Sequence, residues 1–165
     1  MNKVFIVLSP FTSMLPIYQE LLKKAQIQYD AAHHLLTITF PLIKDPKLLM
    51  GITSNILASL EYSMEAILDF NQPLTPKNIS FQGKINLFGQ LAQSYNIPKQ
   101  TIHLLQDLKE IQLLHKKSPM IFPRGNRYVI ANEDYLLKVI SIDEIKGFLV
   151  QNSELLKIAK KVTKT

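Results

Sequence analysis

Arg124 and Arg127 are the only arginines among 19 basic Lys and Arg side chains, and only Gly125 and Asn126 separate them. A guanidinium is a planar fork of donors that fits a phosphate or a carboxylate, whereas an ammonium is a hydrated point charge. Two arginines across a two-residue turn, in a chain that otherwise uses lysine, read as an anion-binding device. Lys116 and Lys117 lie just upstream, and Tyr128 follows directly. Four such cations, folded back toward one another, would neutralise about four phosphates and give a salt slope of about −3.6. The Tyr128 ring would offer a platform for base stacking. The same arginines have two other uses: pairing with acids of a neighbouring helix or another subunit, or holding a small anionic molecule.

Other chemistries find little support. The five glycines are not spaced for dinucleotide binding, and no phosphate-cradling loop is present. Asp30 and His34 are four apart and share a helix face, which fits a local ion pair or a solvated histidine better than a metal site. Adjacent His33 and His34 point about 100° apart on a helix, and His103 and His115 fall on different sides of theirs. No serine or threonine is singled out beside a base, as nucleophilic catalysis would require. Glu61 and Glu65, one turn apart, read as a solvated helix face. With no cysteine, thiolate ligands, disulfides and a cysteine nucleophile are excluded, and a reducing, cytoplasmic setting is expected. No metal or cofactor is predicted.

The charge is unevenly placed. Residues 1–80 carry six lysines and six acids; residues 81–165 carry 13 lysines and arginines against seven acids, so the whole +6 excess lies in the second half. A local basic field attracts polyanions, although lysine-rich surfaces also serve solubility alone. A length of 165 residues and an apolar fraction of 47% fit one globular domain with its own core. The apolar run Val4 to Leu8 is too short to span a bilayer and reads as a strand or helical turn on the core.

The elements that must position the arginines follow from periodicity. A first helix is expected over residues 15–40, with Pro16 in its first turn and Pro41 ending it. Asp45-Pro46 caps and starts a second helix reaching Phe70, antiparallel to the first because the connection is short. Residues 71–80 hold two prolines and read as a linker. A third helix spans 81–95 and a fourth 98–117, its last turn carrying His115, Lys116 and Lys117 at the negative end of the dipole. The period then changes. Two strands, 120–124 and 127–131, flank Gly125-Asn126 as a hairpin. Pro123 places the first of them at an edge, and a third strand is expected over 135–140. Ser141 and Glu144 form a capping box that opens a last helix reaching Lys161. The expected fold is mainly α: a single bundle of about five helices with a small β-meander before the C-terminal helix.

This organisation, with Ala32-His33-His34-Leu35-Leu36 and the helix over 55–68, resembles a HEPN-type helical bundle of small archaeal proteins. That resemblance implies the scaffold, a homodimer and RNA affinity. Many HEPN members cleave RNA with an arginine and, after four to six intervening residues, a histidine. Here those positions are Val129, Ile130 and Ala131 after Arg124, and Asn132, Glu133 and Asp134 after Arg127; all four histidines precede both arginines. The expectation is a non-catalytic basic module that binds nucleic acid, RNA foremost, through Lys116, Lys117, Arg124, Arg127 and Tyr128. The alternative is a protein-interaction or scaffold module that forms a homo-oligomer through apolar helix faces.

Overall fold

Helix α3, Pro46–Asn71, is the element around which the others pack. Its start follows from Asp45, whose Oδ1 accepts the Lys47 N–H at 2.9 Å, while Pro46 has no N–H to leave unpaired. Its buried residues form one face that is unusually broad. Leu49 and Met50, Ile52 and Thr53, Ile56 and Leu57, Ser59 and Leu60, Ser63 and Met64, and Ala66 to Leu68 are all buried, whereas Gly51 is exposed and Ser54, Asn55, Ala58, Glu61, Tyr62 and Glu65 on the opposite side are half-buried, so more than half of the helix circumference faces the core. Helices α1 (Ile17–His34), α4 (Phe81–Ala92), α5 (Lys99–Lys117) and α6 (Ile142–Val162) surround it. A three-stranded antiparallel sheet, β1 (Met120–Arg124), β2 (Arg127–Ala131) and β3 (Leu137–Ser141), precedes α6 in the order β1-β2-β3. The computed structural model describes residues 15–71, 78–117, 120–125, 127–131, 134 and 137–164. The expected element at Val4 to Leu8, most of the 71–80 linker, and Asn126, Asn132, Glu133 and Tyr135 lie outside them.

Helix α1 runs antiparallel to α3: Tyr18 meets Phe70 edge-to-face at 5.3 Å, and Ser59 Oγ donates to Ala25 O at 2.8 Å. Ala25 is fully buried, and its small side chain lets the two backbones approach. Ser59 Oγ also lies 3.0 Å from Asn152 Oδ1 of α6. One buried polar contact thus joins three helices.

Pro41 does not end the first helix as expected. The chain widens into a π turn at Leu35–Thr39, where Phe40 N–H reaches back to Leu35 O, and a further turn, α2 (Phe40–Ile43), follows. A proline ring clashes with the carbonyl four residues before it in a regular helix; the wider turn relieves that clash. The helix stops only at Lys44, with φ 54°. Helix α4 is closed by a Schellman turn: Asn96 has φ 53° and Ile97 N–H donates to Ala92 O at 2.9 Å. Glu61 and Glu65 are not a solvated face. Both are half-buried; Glu61 pairs with Lys109 of α5 at 2.9 Å, and Glu65 pairs with Lys84 of α4. Helices α4 and α5 cover the side of α3 that its glutamates mark, and each brings the lysine that neutralises one of them.

Leu60 is fully buried at the middle of α3. Leu60→Ala is expected to lower the unfolding free energy by about 3 kcal/mol, read from urea titration. Ile27→Ala, on an exposed α1 position, should stay within about 0.5 kcal/mol of the parent.

Candidate nucleic-acid interface

The hairpin that carries the arginines is built by local chemistry. Gly125 adopts φ 61° in the turn, a conformation that costs other residues about 1–2 kcal/mol. Pro123 cannot donate to a ladder, and β1 is accordingly an edge strand, paired only with β2. Register then fixes which side chains share a face, because residues opposite one another in antiparallel strands project to the same side.

The rows Ile121–Ile130–Lys138 and Pro123–Tyr128–Ile140 make one face. Ile130 and Ile140 belong to the hydrophobic core, and Ile121 and Tyr128 pack against it, so this face rests on the helices. The rows Met120–Ala131–Leu137, Phe122–Val129–Val139 and Arg124–Arg127–Ser141 make the opposite face. None of its residues belongs to the core cluster. Val129 and Ala131, on the central strand, are buried, whereas Met120, Phe122, Arg124, Arg127, Leu137 and Val139 are exposed.

Arg124 and Arg127 are direct cross-strand partners on this outer face. Like charges opposite one another repel, and among the described residues neither guanidinium has a carboxylate within ion-pairing distance. The acids nearest in the chain to their row are occupied elsewhere. Glu144 accepts the Ser141 N–H at 2.7 Å in the capping box, and Asp143 lies 3.4 Å from Lys146. Lys116 and Lys117 are exposed at the end of α5. They precede the start of β1, while Arg124 ends it, about 14 Å further along a strand that rises ~3.4 Å per residue. The four cations therefore stand as a lysine pair near one end of the strand and an arginine pair at the other.

Tyr128 is not with them. Its ring is half-buried on the core side of the sheet and meets Phe40 edge-to-face at 6.2 Å. Strand alternation turns it away from its neighbour Arg127. Phe122 is the aromatic ring on the arginine face, 43% exposed. Its spacing of two from Arg124 within one strand was the available signal; adjacency to Arg127 pointed to Tyr128 instead.

Elsewhere, a groove of about 590 Å³ between α1, the π turn and α6 is lined by residues that include His33, Ser153 and Glu154. No hydrogen bond joins these three, so no nucleophile there is paired with a base. Among the described residues no group of three His, Asp or Glu side chains is placed to hold a metal, and no helix is long and apolar enough to cross a membrane. No family model matches the chain, and no curated protein or solved structure matches it.

These placements separate packing from surface chemistry. Tyr128→Ala, which empties a site against Phe40, should lower stability by about 2 kcal/mol. Arg124→Ala should leave the melting temperature unchanged, as expected for an exposed side chain with no ion pair among the described residues. Thermal melts of both variants by circular dichroism check the contrast.

Proposed function

We propose that the protein is a basic helical module that binds nucleic acid, RNA foremost, through the outer sheet face, with Arg124 and Arg127 as the principal phosphate contacts. The observation that carries this reading is the arginine pair itself. Two guanidiniums stand across from one another at a hairpin, exposed, with no carboxylate partner among the described residues. Pairing them with acids within the fold is the rival use; of the two acids that follow Ser141 of their row, Glu144 serves instead a cap and Asp143 a contact with Lys146. Lys84 and Lys109 mark the difference, since each is spent on a half-buried glutamate.

Phosphate contacts fix position and supply affinity without reading sequence. Lys116 and Lys117 extend the basic surface toward the other end of β1 and add a second pair of contacts. The HEPN-type scaffold remains part of this reading, in its non-catalytic form: both arginines lack a downstream histidine at nuclease spacing, so the bound strand would be held and not cut. A homodimer belongs with that scaffold and would double the number of basic hairpins per assembly.

Each lost phosphate contact weakens single-strand binding by about fivefold at 100 mM salt, from counterion release alone. The Arg124→Ala, Arg127→Ala double variant should therefore bind a labelled single-stranded RNA roughly 25-fold more weakly, measured by fluorescence anisotropy at that salt. Equal affinity in parent and double variant would remove the arginines from the reading, and absence of binding by the parent would end it.

A further inference from the structure

The outer sheet face has a composition that phosphate binding alone does not explain. Phe122 lies at the centre of β1 on that face, with Val129 opposite it in β2 and Val139 beyond in β3. Met120 and Leu137 continue the apolar surface toward one end, and the arginine row closes the other. A soluble sheet that packs on helices with one face ordinarily alternates apolar inward and polar outward. Here both faces are apolar; on the outer one Val129 is buried while Phe122 and Val139 beside it are exposed, and that face ends in two guanidiniums with no carboxylate partner among the described residues.

We propose that this face is a stacking platform for single-stranded nucleic acid, with Phe122 as the base-stacking residue and Arg124 and Arg127 holding the adjoining phosphate. The proposal rests on the phosphate-binding reading above and adds the strandedness of the ligand and the residue that selects it. Phe122 and Arg124 are two residues apart on one strand face, about 7 Å along it. That spacing suits a base on the ring and a backbone phosphate at the guanidiniums. Every base has a π-face, so stacking on an open aromatic ring tolerates any sequence but requires an unpaired strand. In a duplex the bases are already stacked on one another and cannot reach the ring. The cations choose the occupant: a purely apolar partner would leave two guanidiniums desolvated and unpaired, whereas a nucleic-acid strand supplies an anion and a ring face together.

The chain contains no tryptophan, so Phe122→Trp installs a single reporter at the platform. Titration with a single-stranded oligoribonucleotide should quench its emission while affinity is kept. Phe122→Leu, which keeps the apolar surface but removes the ring, should weaken single-strand binding about tenfold. Duplex RNA of the same length should bind the parent more weakly than the single strand and be insensitive to Phe122→Leu; an oligodeoxyribonucleotide arm reports whether the sugar matters. Circular dichroism and thermal melts establish that both variants fold. If the arginine double variant loses binding but Phe122→Leu does not, and the indole emission of Phe122→Trp stays constant, the stacking proposal is overturned while phosphate binding survives. If the parent binds neither single strand nor duplex, the underlying reading has failed. If sedimentation shows that Phe122→Leu turns a dimer into a monomer without changing affinity, a second copy covers this face and the platform is overturned.

Discussion

Burial of the broad apolar face of α3 is the constraint on which the rest depends. A 26-residue helix whose apolar face takes more than half of its circumference needs more than one neighbour to cover it. Helix α1 covers it along an antiparallel line, close enough at Ala25 for Ser59 to reach the α1 backbone. Helix α6 closes another side and brings Asn152 to the same serine. A hydroxyl has one proton, so Ser59 Oγ donates to either Ala25 O or Asn152 Oδ1, both within reach, and either bond ties α3 to a neighbouring helix at a polar node inside an apolar bundle. Buried polar groups are costly unless paired, so this node favours one register of the three helices. Helices α4 and α5 pack along a further side, and the two glutamates that α3 carries there are neutralised by Lys84 and Lys109.

The sheet is positioned by that packing. Only one of its faces is needed to close the core, through Ile130, Ile140, Ile121 and Tyr128. The other remains outside with Phe122 and both arginines. The structure thus divides its cations by use. Two lysines are held in half-buried pairs between helices, and the arginines stand at a hairpin where no carboxylate reaches them among the described residues. The proposed binding of a polyanion rests on that division, because a surface guanidinium without a carboxylate partner gives up little more than water when it meets a phosphate, whose counterions are released.

What was legible in the sequence was local chemistry. Asp45-Pro46, the Ser141–Glu144 capping box and Gly125 act within a few residues of themselves, and each stands where the pattern placed it. Pro123 gave the edge position of β1 for the same reason. Most of the readings that failed depended on partners distant in the chain. Glu61 and Glu65 look solvated until α4 and α5 arrive with lysines 19 and 48 residues away. Pro41 looks like a stop unless the preceding turn can widen. Tyr128 and Phe122 are both aromatic and both near the arginines in sequence; which one faces outward is decided by which sheet face the core takes. The candidate site was therefore legible as a set of cations, but not as a surface. Its division into a lysine pair and an arginine pair needed the strand between them.

The salt dependence of single-stranded RNA binding tests the central claim most directly. With contacts from Lys116, Lys117, Arg124 and Arg127, log Kobs should fall linearly with log salt at a slope of about −2.8, and removing both guanidiniums should bring it to about −1.4. A slope near zero, or one that the loss of Arg124 and Arg127 leaves unchanged, would contradict the account.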